Sequence, residues 1–173
     1  EKKQCLRYLK EFLEHSRKVR ATVQPYPYLL ALSLAMKEGR LPQVNGVSLE
    51  EEIKIKLRGK NLYGKAIACR YQSYLYRIGG KPAEASIQSL QQGIAWAEQS
   101  GHVIEQARAK LDLARIDLFR GEKDRAVKLA GEGAGVLARF NEALVPDDLR
   151  SLVDQSPRSG DLFRDILQLA REV

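Results

Sequence analysis

The spacing of three glycines is the feature of this 173-residue sequence that most constrains its fold. Gly39, Gly80 and Gly121 each follow a segment with helical periodicity and precede a turn, and successive glycines are 41 residues apart. Glycine suits these positions because it adopts the left-handed backbone conformation in which many helices end. A constant spacing of this length is typical of repeated helical units. The sequence therefore predicts a repeat built from helices.

Apolar side chains recur every three or four residues along nearly the whole chain, which indicates amphipathic helices. No segment of the sequence sustains the apolar–polar alternation, with β-branched residues, that is typical of a half-buried strand. The predicted fold class is therefore all-α. The expected helices cover about residues 2–20, 25–39, 48–59, 61–78, 82–99, 103–120, 123–140 and a short segment from 146, followed by a last apolar stripe at 162–170.

Small side chains recur at fixed distances from Gly80 and Gly121. Where two antiparallel helices cross, small residues let the backbones approach closely, so these positions predict tight helical hairpins. The unit around Gly39 lacks the small residues, as terminal repeats often do. The matching pairs lie seven residues before, five after and nine after the glycines: Ser73 and Ala114, Ala85 and Ala126, Ser89 and Ala130.

This pattern resembles the tetratricopeptide repeat, which has a small residue in its first helix, glycine at the turn and alanine in its second helix. The spacing is longer than the family's roughly 34 residues. It is closer to the long-helix tetratricopeptide-like arrays of large bacterial transcriptional regulators. The residues that carry the resemblance are Leu113, Ala114, Gly121, Ala126 and Val127 in one unit, and Ser73, Gly80 and Ala85 in the other.

The resemblance implies a right-handed superhelix of antiparallel helix pairs, a tetratricopeptide-like solenoid with a concave wall formed by the first helix of each pair. Residues 1–145 would form the array, with its clearest units at about 61–101 and 102–140, and residues 146–173 would form capping or connecting helices. The implied function is protein–protein interaction or scaffolding within a larger bacterial regulatory protein. The partner would be a protein or an acidic peptide on the concave face, and a homodimer is an alternative.

The resemblance also places groove-facing residues at fixed offsets before Gly80 and Gly121. The set contains four arginines, one tyrosine and no acidic residue, a composition that suits carboxylates or phosphates. Some of these side chains could instead pack against neighbouring helices or form ion pairs within the chain. The predicted partner-binding residues are Arg70, Tyr74, Arg77, Arg108 and Arg115, and the apolar positions beside them are Ile67, Ile78, Leu111, Leu118 and Phe119.

Charge is distributed unevenly along the chain. Residues 1–60 carry 13 Lys and Arg against 7 Asp and Glu, whereas residues 121–173 carry 8 against 10. A basic half can attract nucleic acid, so a nucleic-acid-binding helical array is the alternative function, and an ordinary solvated surface is the simplest interpretation. Aromatic residues make up only 7% of the chain and do not interleave with the basic ones, which argues against base stacking.

The sequence carries no motif for catalysis, a metal or a membrane span. His15 and His102 lie outside any metal-ligand motif, and the glycine-rich stretch at 131–135 lacks the Lys-Ser/Thr of a phosphate-binding loop. No apolar run approaches the roughly 20 residues of a membrane helix. We therefore expect no enzymatic activity, no cofactor, no metal and no membrane contact. The chain has no initiator Met and no apolar signal core, so we expect a piece of a cytoplasmic protein.

Overall fold

The computed structural model describes residues 2–18 and 27–153, and these residues form helices joined by turns. Within those two ranges there is no strand, which confirms the all-α prediction for them. The apolar stripe at 162–170 lies outside the described residues. The helices are α1 (Lys2–Lys18), α2 (Pro27–Lys37), α3 (Leu49–Arg58), α4 (Leu62–Ile78), α5 (Ala83–Gln99), α6 (Val103–Phe119), α7 (Lys123–Ala138) and α8 (Asp147–Val153), with a 3-10 helix at Glu142–Leu144.

The three evenly spaced glycines follow the ends of α2, α4 and α6 in the left-handed conformation, with φ of 71° at Gly39, 67° at Gly80 and 82° at Gly121. Each glycine donates its N–H to the carbonyl three residues back, and the next residue donates to the carbonyl five residues before itself. This is the Schellman motif, which satisfies carbonyls that a helix end would leave without partners. The predicted role of these glycines at the turns is confirmed.

Helices α4 and α5 form an antiparallel hairpin. Residues later in α5 contact residues earlier in α4. The Ser86 hydroxyl donates to the carbonyl oxygen of Ser73 at 3.2 Å near the turn. Two turns further along α5, a Cβ added to Gly93 would lie 3.0 Å from the Cβ of Cys69 and 3.1 Å from the carbonyl oxygen of Ala66. The small residues therefore let the two backbones approach closely, as the sequence pattern predicts.

Helices α6 and α7 form the next hairpin with the same kind of close contact. A Cβ added to Gly133 would lie 2.9 Å from both the carbonyl oxygen of Ala107 and the Cγ of Leu111. The glycine-rich stretch at 131–135 is thus part of α7, and its central glycine lies at the helix crossing. Close helix packing, rather than phosphate binding, accounts for this residue.

The hairpin α4–α5 and the hairpin α6–α7 have equivalent residues. The number of residues between equivalent positions differs between the first and the second helices. The residue equivalent to the buried Ala126 is Ser86, which is also buried, and not the half-buried Ala85. The predicted pairing of Ala85 with Ala126 is wrong by one position because two residues separate Gly80 from α5 but only one separates Gly121 from α7. The first helices match at 41 residues, as Ala66 and Ala107 do, and the second helices at 40, as Gly93 and Gly133 do.

The first helices of successive hairpins, α2, α4 and α6, contact one another in chain order, and we call them the A helices. Each hairpin also packs on the next, through α3 on α4 and α5 on α6. The buried side chains form clusters along this line of hairpins. One cluster includes Leu30, Ile53 and Ile67, and the next includes Leu90 and Leu113.

Both ends of this line of hairpins are covered by further apolar contacts. Helix α8 and the segment before it bury Val145, Leu149 and Leu152 in the cluster that holds α6 and α7 together. At the other end, Leu9 of α1 packs in a cluster with Met36 of α2. Helix α8 is therefore an integral part of the core.

The start of α3 contains half of the capping box that Ser48 and Glu51 predict. The Glu51 N–H donates to the Ser48 hydroxyl oxygen at 3.5 Å, whereas the Glu51 carboxylate binds the Lys54 ammonium at 2.6 Å. The helix ends at Arg58, directly before Gly59, as expected.

The Gly133→Ala variant is expected to lower the free energy of unfolding by about 1–2 kcal/mol, because the new Cβ would force α6 and α7 apart. This is the net loss that remains after the roughly 1 kcal/mol that alanine gains over glycine in helix propensity. The midpoint of urea unfolding measures the change. Lys128→Ala, an exposed position on the same helix, is the control and should change the free energy by less than about 0.5 kcal/mol. A G133A protein more stable than wild type would contradict the close contact.

Candidate interaction face

The five predicted site residues lie on two neighbouring A helices. Arg70, Tyr74 and Arg77 are on α4 at intervals of four and three residues, and Arg108 and Arg115 are seven residues apart on α6. Such intervals place each set along one side of its helix. We call the surface that they share the A-helix face. Carboxylates also lie on this face, and they belong to Glu38, Glu105, Asp112 and Asp148.

Arg70 is held between two carboxylates of α6. Its Nη1 donates to Glu105 Oε1 and its Nε donates to Asp112 Oδ2, both at 2.8 Å. The Glu105 side chain is only 4% exposed, so its charge must be compensated inside the protein. Burial lowers the pKa of Arg70, but the carboxylates of Asp112 and Glu105 outweigh that effect and leave its pKa above the ordinary value. Arg70 therefore joins α4 to α6 as a structural cation.

Arg115 extends the same set of ion pairs from α6 to α8. Its Nη1 donates to Asp112 Oδ1 at 2.8 Å, and its Nε and Nη2 donate to the two oxygens of Asp148 at 2.7 and 2.8 Å. The two-pronged contact with Asp148 raises the pKa of Arg115 and lowers the pKa of Asp148. The guanidinium of Arg115 is thus bound by two carboxylates of its own chain.

Arg108 occupies the end of this set and is only weakly paired. Its Nη1 lies 3.8 Å from Glu105 Oε2, which is beyond hydrogen-bond distance, and the other oxygen of Glu105 is bound by Arg70. The Arg108 side chain is 44% exposed. Its guanidinium therefore keeps donors that can reach a molecule outside the protein.

Tyr74 and Arg77 form a separate group near the end of α4. The Tyr74 hydroxyl donates to Glu38 Oε1 at 2.6 Å, and this hydrogen bond raises the pKa of Tyr74 and lowers the pKa of Glu38. The Arg77 guanidinium lies 5.7 Å from the centroid of the Tyr74 ring. Among the described residues no carboxylate lies within ion-pair distance of Arg77, and its side chain is exposed.

The sequence interpretation missed all four carboxylates of the A-helix face. Two of them stand three residues before an arginine on α6, Glu105 before Arg108 and Asp112 before Arg115, and that spacing is a recognisable signal for a pair. Asp148 stands in the first turn of α8, where the helix dipole alone accounts for an acidic residue. Its contact with Arg115 depends on how α8 packs, which the sequence does not reveal.

The apolar positions predicted beside these residues divide into two groups. Ile67 and Leu111 are buried in the core clusters, so they stabilise the fold. Ile78, Leu118 and Phe119 are exposed at the ends of α4 and α6. Only the second group is accessible to a partner.

Clefts open between the side chains of this face. The Tyr74 cleft, of about 180 Å³, is lined by Arg70, Tyr74 and Arg77 together with Leu34. The Leu144 cleft, of about 240 Å³, and the Phe140 cleft, of about 320 Å³, lie on the two sides of Arg108, which lines both. Arg70 lines the Tyr74 and Leu144 clefts in the same way. The clefts thus follow one another along the set of ion pairs.

Cys69 and His102, which could act as a nucleophile or a metal ligand, lie in ordinary packing contacts. Cys69 is buried, which raises the pKa of its thiol to about 11. The His102 ring lies 4.0 Å from the ring of Tyr63. In the part of the chain that the structure describes, no group of three or more His, Cys, Asp or Glu is arranged to hold a metal ion. Over the same residues, every helix is too short or too polar to cross a bilayer.

No protein-family model matches the chain, and no curated protein or solved structure is significantly similar to it. The tetratricopeptide resemblance therefore stays a prediction, and the function has to be inferred from the residues of the A-helix face.

The Asp148→Asn variant is expected to lower the free energy of unfolding by about 1 kcal/mol near neutral pH, because it removes the two-pronged contact with Arg115. The folded-state pKa of Asp148 lies below its ordinary value near 3.8, so the carboxylate stabilises the protein above that pH. The difference between variant and wild type should disappear as the pH falls through the lowered pKa. Urea unfolding at a series of pH values measures it.

Asp147→Asn is the matched control, because this neighbouring carboxylate is 93% exposed and contacts Arg150 on the same helix. It should change stability by less than about 0.5 kcal/mol at any pH. Equal effects of the two substitutions would contradict a specific contact between Arg115 and Asp148.

Proposed function

We propose that the chain is a protein-recognition module that binds an acidic peptide segment or partner domain on the A-helix face. The contiguous contacts of α2, α4 and α6 and the succession of clefts along them support one shared binding surface. A right-handed superhelix is the proposed arrangement of the hairpins. It would repeat the same surface at each unit.

The observation that carries this proposal is the unequal use of the arginines. Arg70 and Arg115 each bind two carboxylates of the chain, whereas Arg77 and Arg108 keep accessible guanidiniums next to clefts. A guanidinium binds a carboxylate through parallel hydrogen bonds and adds specificity as well as charge. The two accessible arginines therefore favour a partner with carboxylates at matching positions.

The proposed setting is a larger bacterial regulatory protein in the cytoplasm, as the resemblance to long-helix regulator arrays implies. In that setting the module would bring a partner to neighbouring domains. The module would bind its partner and would not catalyse a reaction.

Nucleic acid is the less favoured partner. Two of the four arginines on the face are already neutralised by Glu105, Asp112 and Asp148, and these carboxylates would repel phosphates brought near them. The basic surplus of residues 1–60 still makes binding to nucleic acid a required comparison.

A library of short random peptides displayed on phage and selected on the full chain tests the proposal. We expect selected peptides to carry Asp or Glu at isolated positions rather than in runs, and to bind a variant with both Arg77→Glu and Arg108→Glu about tenfold or more weakly, because attraction becomes repulsion. The matched control carries Lys123→Glu and Lys128→Glu on α7, two exposed residues outside the A-helix face. This control makes the same change in net charge and should bind like wild type.

Selection of no peptide, or equal losses in the two double variants, would contradict the proposal. Labelled single-stranded and duplex DNA are measured in parallel over a range of salt concentrations. Tighter binding of DNA than of the selected peptides, with a steep loss of affinity in salt, would replace it by the nucleic-acid alternative.

A further inference from the structure

Arg108 lies where two clefts meet, and each cleft brings an exposed apolar side chain close to its guanidinium. On one side, the Phe140 cleft is lined by Tyr63, His102, Val103 and Phe140. On the other side, the Leu144 cleft includes Leu144 and the buried Leu111 and Leu137. The guanidinium is therefore close to apolar side chains in both clefts, although the Leu144 cleft also contains Arg70, Asp112 and Arg115.

Among the residues that the structure describes, the carboxylate next to Arg108 is that of Glu105, and it is already shared. Glu105 binds Arg70 through Oε1 at 2.8 Å, and its Oε2 lies 3.8 Å from Arg108. Arg70 and Arg115 each receive two carboxylates, whereas Arg108 receives part of one. One further carboxylate would supply the hydrogen-bond acceptors that the Arg108 guanidinium lacks.

The apolar side chains of the Phe140 cleft are unusually accessible. Phe140 is 57% exposed, and Val103 is also exposed. The Tyr63 and His102 rings, with centroids 4.0 Å apart, form an aromatic wall beside them. Covering such surface favours association, and aromatic side chains near arginine are typical of the residues that dominate binding.

The nearby acids limit what kind of anion can bind. Glu105 and Asp112 lie within the same group of side chains as Arg108, so a ligand with several negative charges would be repelled. A single carboxylate next to an apolar group avoids this repulsion. A cleft of about 320 Å³ is also at the small end of ligand sites and fits a side chain of a peptide.

We propose, building on the recognition function above, that Arg108 and the Phe140 cleft form a pocket for an acidic residue next to an aromatic residue in a peptide. The carboxylate of the peptide binds the Arg108 guanidinium. The neighbouring aromatic side chain enters the cleft and packs on Phe140 and the Tyr63–His102 wall. The pocket thus specifies a two-residue motif within the acidic partner.

Blocked synthetic peptides test the pocket on the full chain by fluorescence anisotropy or by NMR titration. The probe contains one Glu-Phe pair among Ser and Gly, and its comparators replace the pair by Gln-Phe, Glu-Ala or Lys-Phe. Arg108→Gln should weaken the Glu-Phe peptide about tenfold, since a charged hydrogen-bonded contact is lost, and should leave the Gln-Phe peptide unchanged. Phe140→Ala should weaken binding of the Glu-Phe and Gln-Phe peptides and leave the Glu-Ala peptide unchanged. Arg108→Glu should bind the Lys-Phe peptide better than the Glu-Phe peptide.

Matched controls exist for both side chains. Arg139→Gln removes an exposed arginine next to Phe140, and Tyr8→Ala removes an aromatic side chain that is 52% exposed on α1, outside the cleft. Both controls should bind the Glu-Phe peptide like wild type. All the substituted side chains are exposed, and an unchanged thermal unfolding midpoint verifies that each variant is folded.

Losses of the same size in the controls would overturn the pocket, as would tighter binding of inorganic phosphate than of the Glu-Phe peptide. Failure of the pocket is distinguishable from failure of the recognition function. If peptides selected from the phage library lose binding with Arg77→Glu but not with Arg108→Gln or Phe140→Ala, the A-helix face binds its partner elsewhere, and only the pocket is overturned.

Discussion

The pairing of Arg70 with Glu105 and Asp112 is the interaction on which the A-helix face depends. A carboxylate as buried as that of Glu105 is tolerated only when it is paired, and Arg70 on the neighbouring helix provides the partner. Asp112 also binds Arg115, which in turn binds Asp148, so the pairing continues from α4 through α6 to α8. The contacts that join successive hairpins therefore also decide which arginines remain for a partner.

Much of the fold follows from local signals in the sequence. The glycines at 39, 80 and 121 end helices for a stereochemical reason that does not depend on the rest of the protein, so the turns and helix limits could be predicted. Small residues predicted tight hairpins, and Gly133 at the crossing of α6 and α7 agrees with that. The register of the second helices could not be predicted, because one more residue between Gly80 and α5 rotates the face of α5 and buries Ser86 in place of Ala85.

The candidate site was predictable only in part. The positions of its residues along a helix could be predicted, but the ion pairs that decide whether each side chain is available could not. The offsets that the tetratricopeptide resemblance implies were enough to select Arg70, Tyr74 and Arg77, which lie along one side of α4. Whether an arginine on that side is available depends on carboxylates that are distant in sequence, such as Asp112, which lies 42 residues after Arg70 and reaches it only because α4 and α6 are in contact. Under the proposed recognition function, partner specificity would consequently be decided where the internal pairing ends, at Arg108 and Arg77.

A double-mutant cycle between Arg70→Met and Glu105→Gln tests this account most directly. If the two side chains form a buried ion pair that joins α4 to α6, their coupling in the free energy of unfolding should be about 1.5–3 kcal/mol. A coupling below about 0.5 kcal/mol, the size measured for exposed pairs, would contradict it. Arg70 would then be as available to a partner as Arg108.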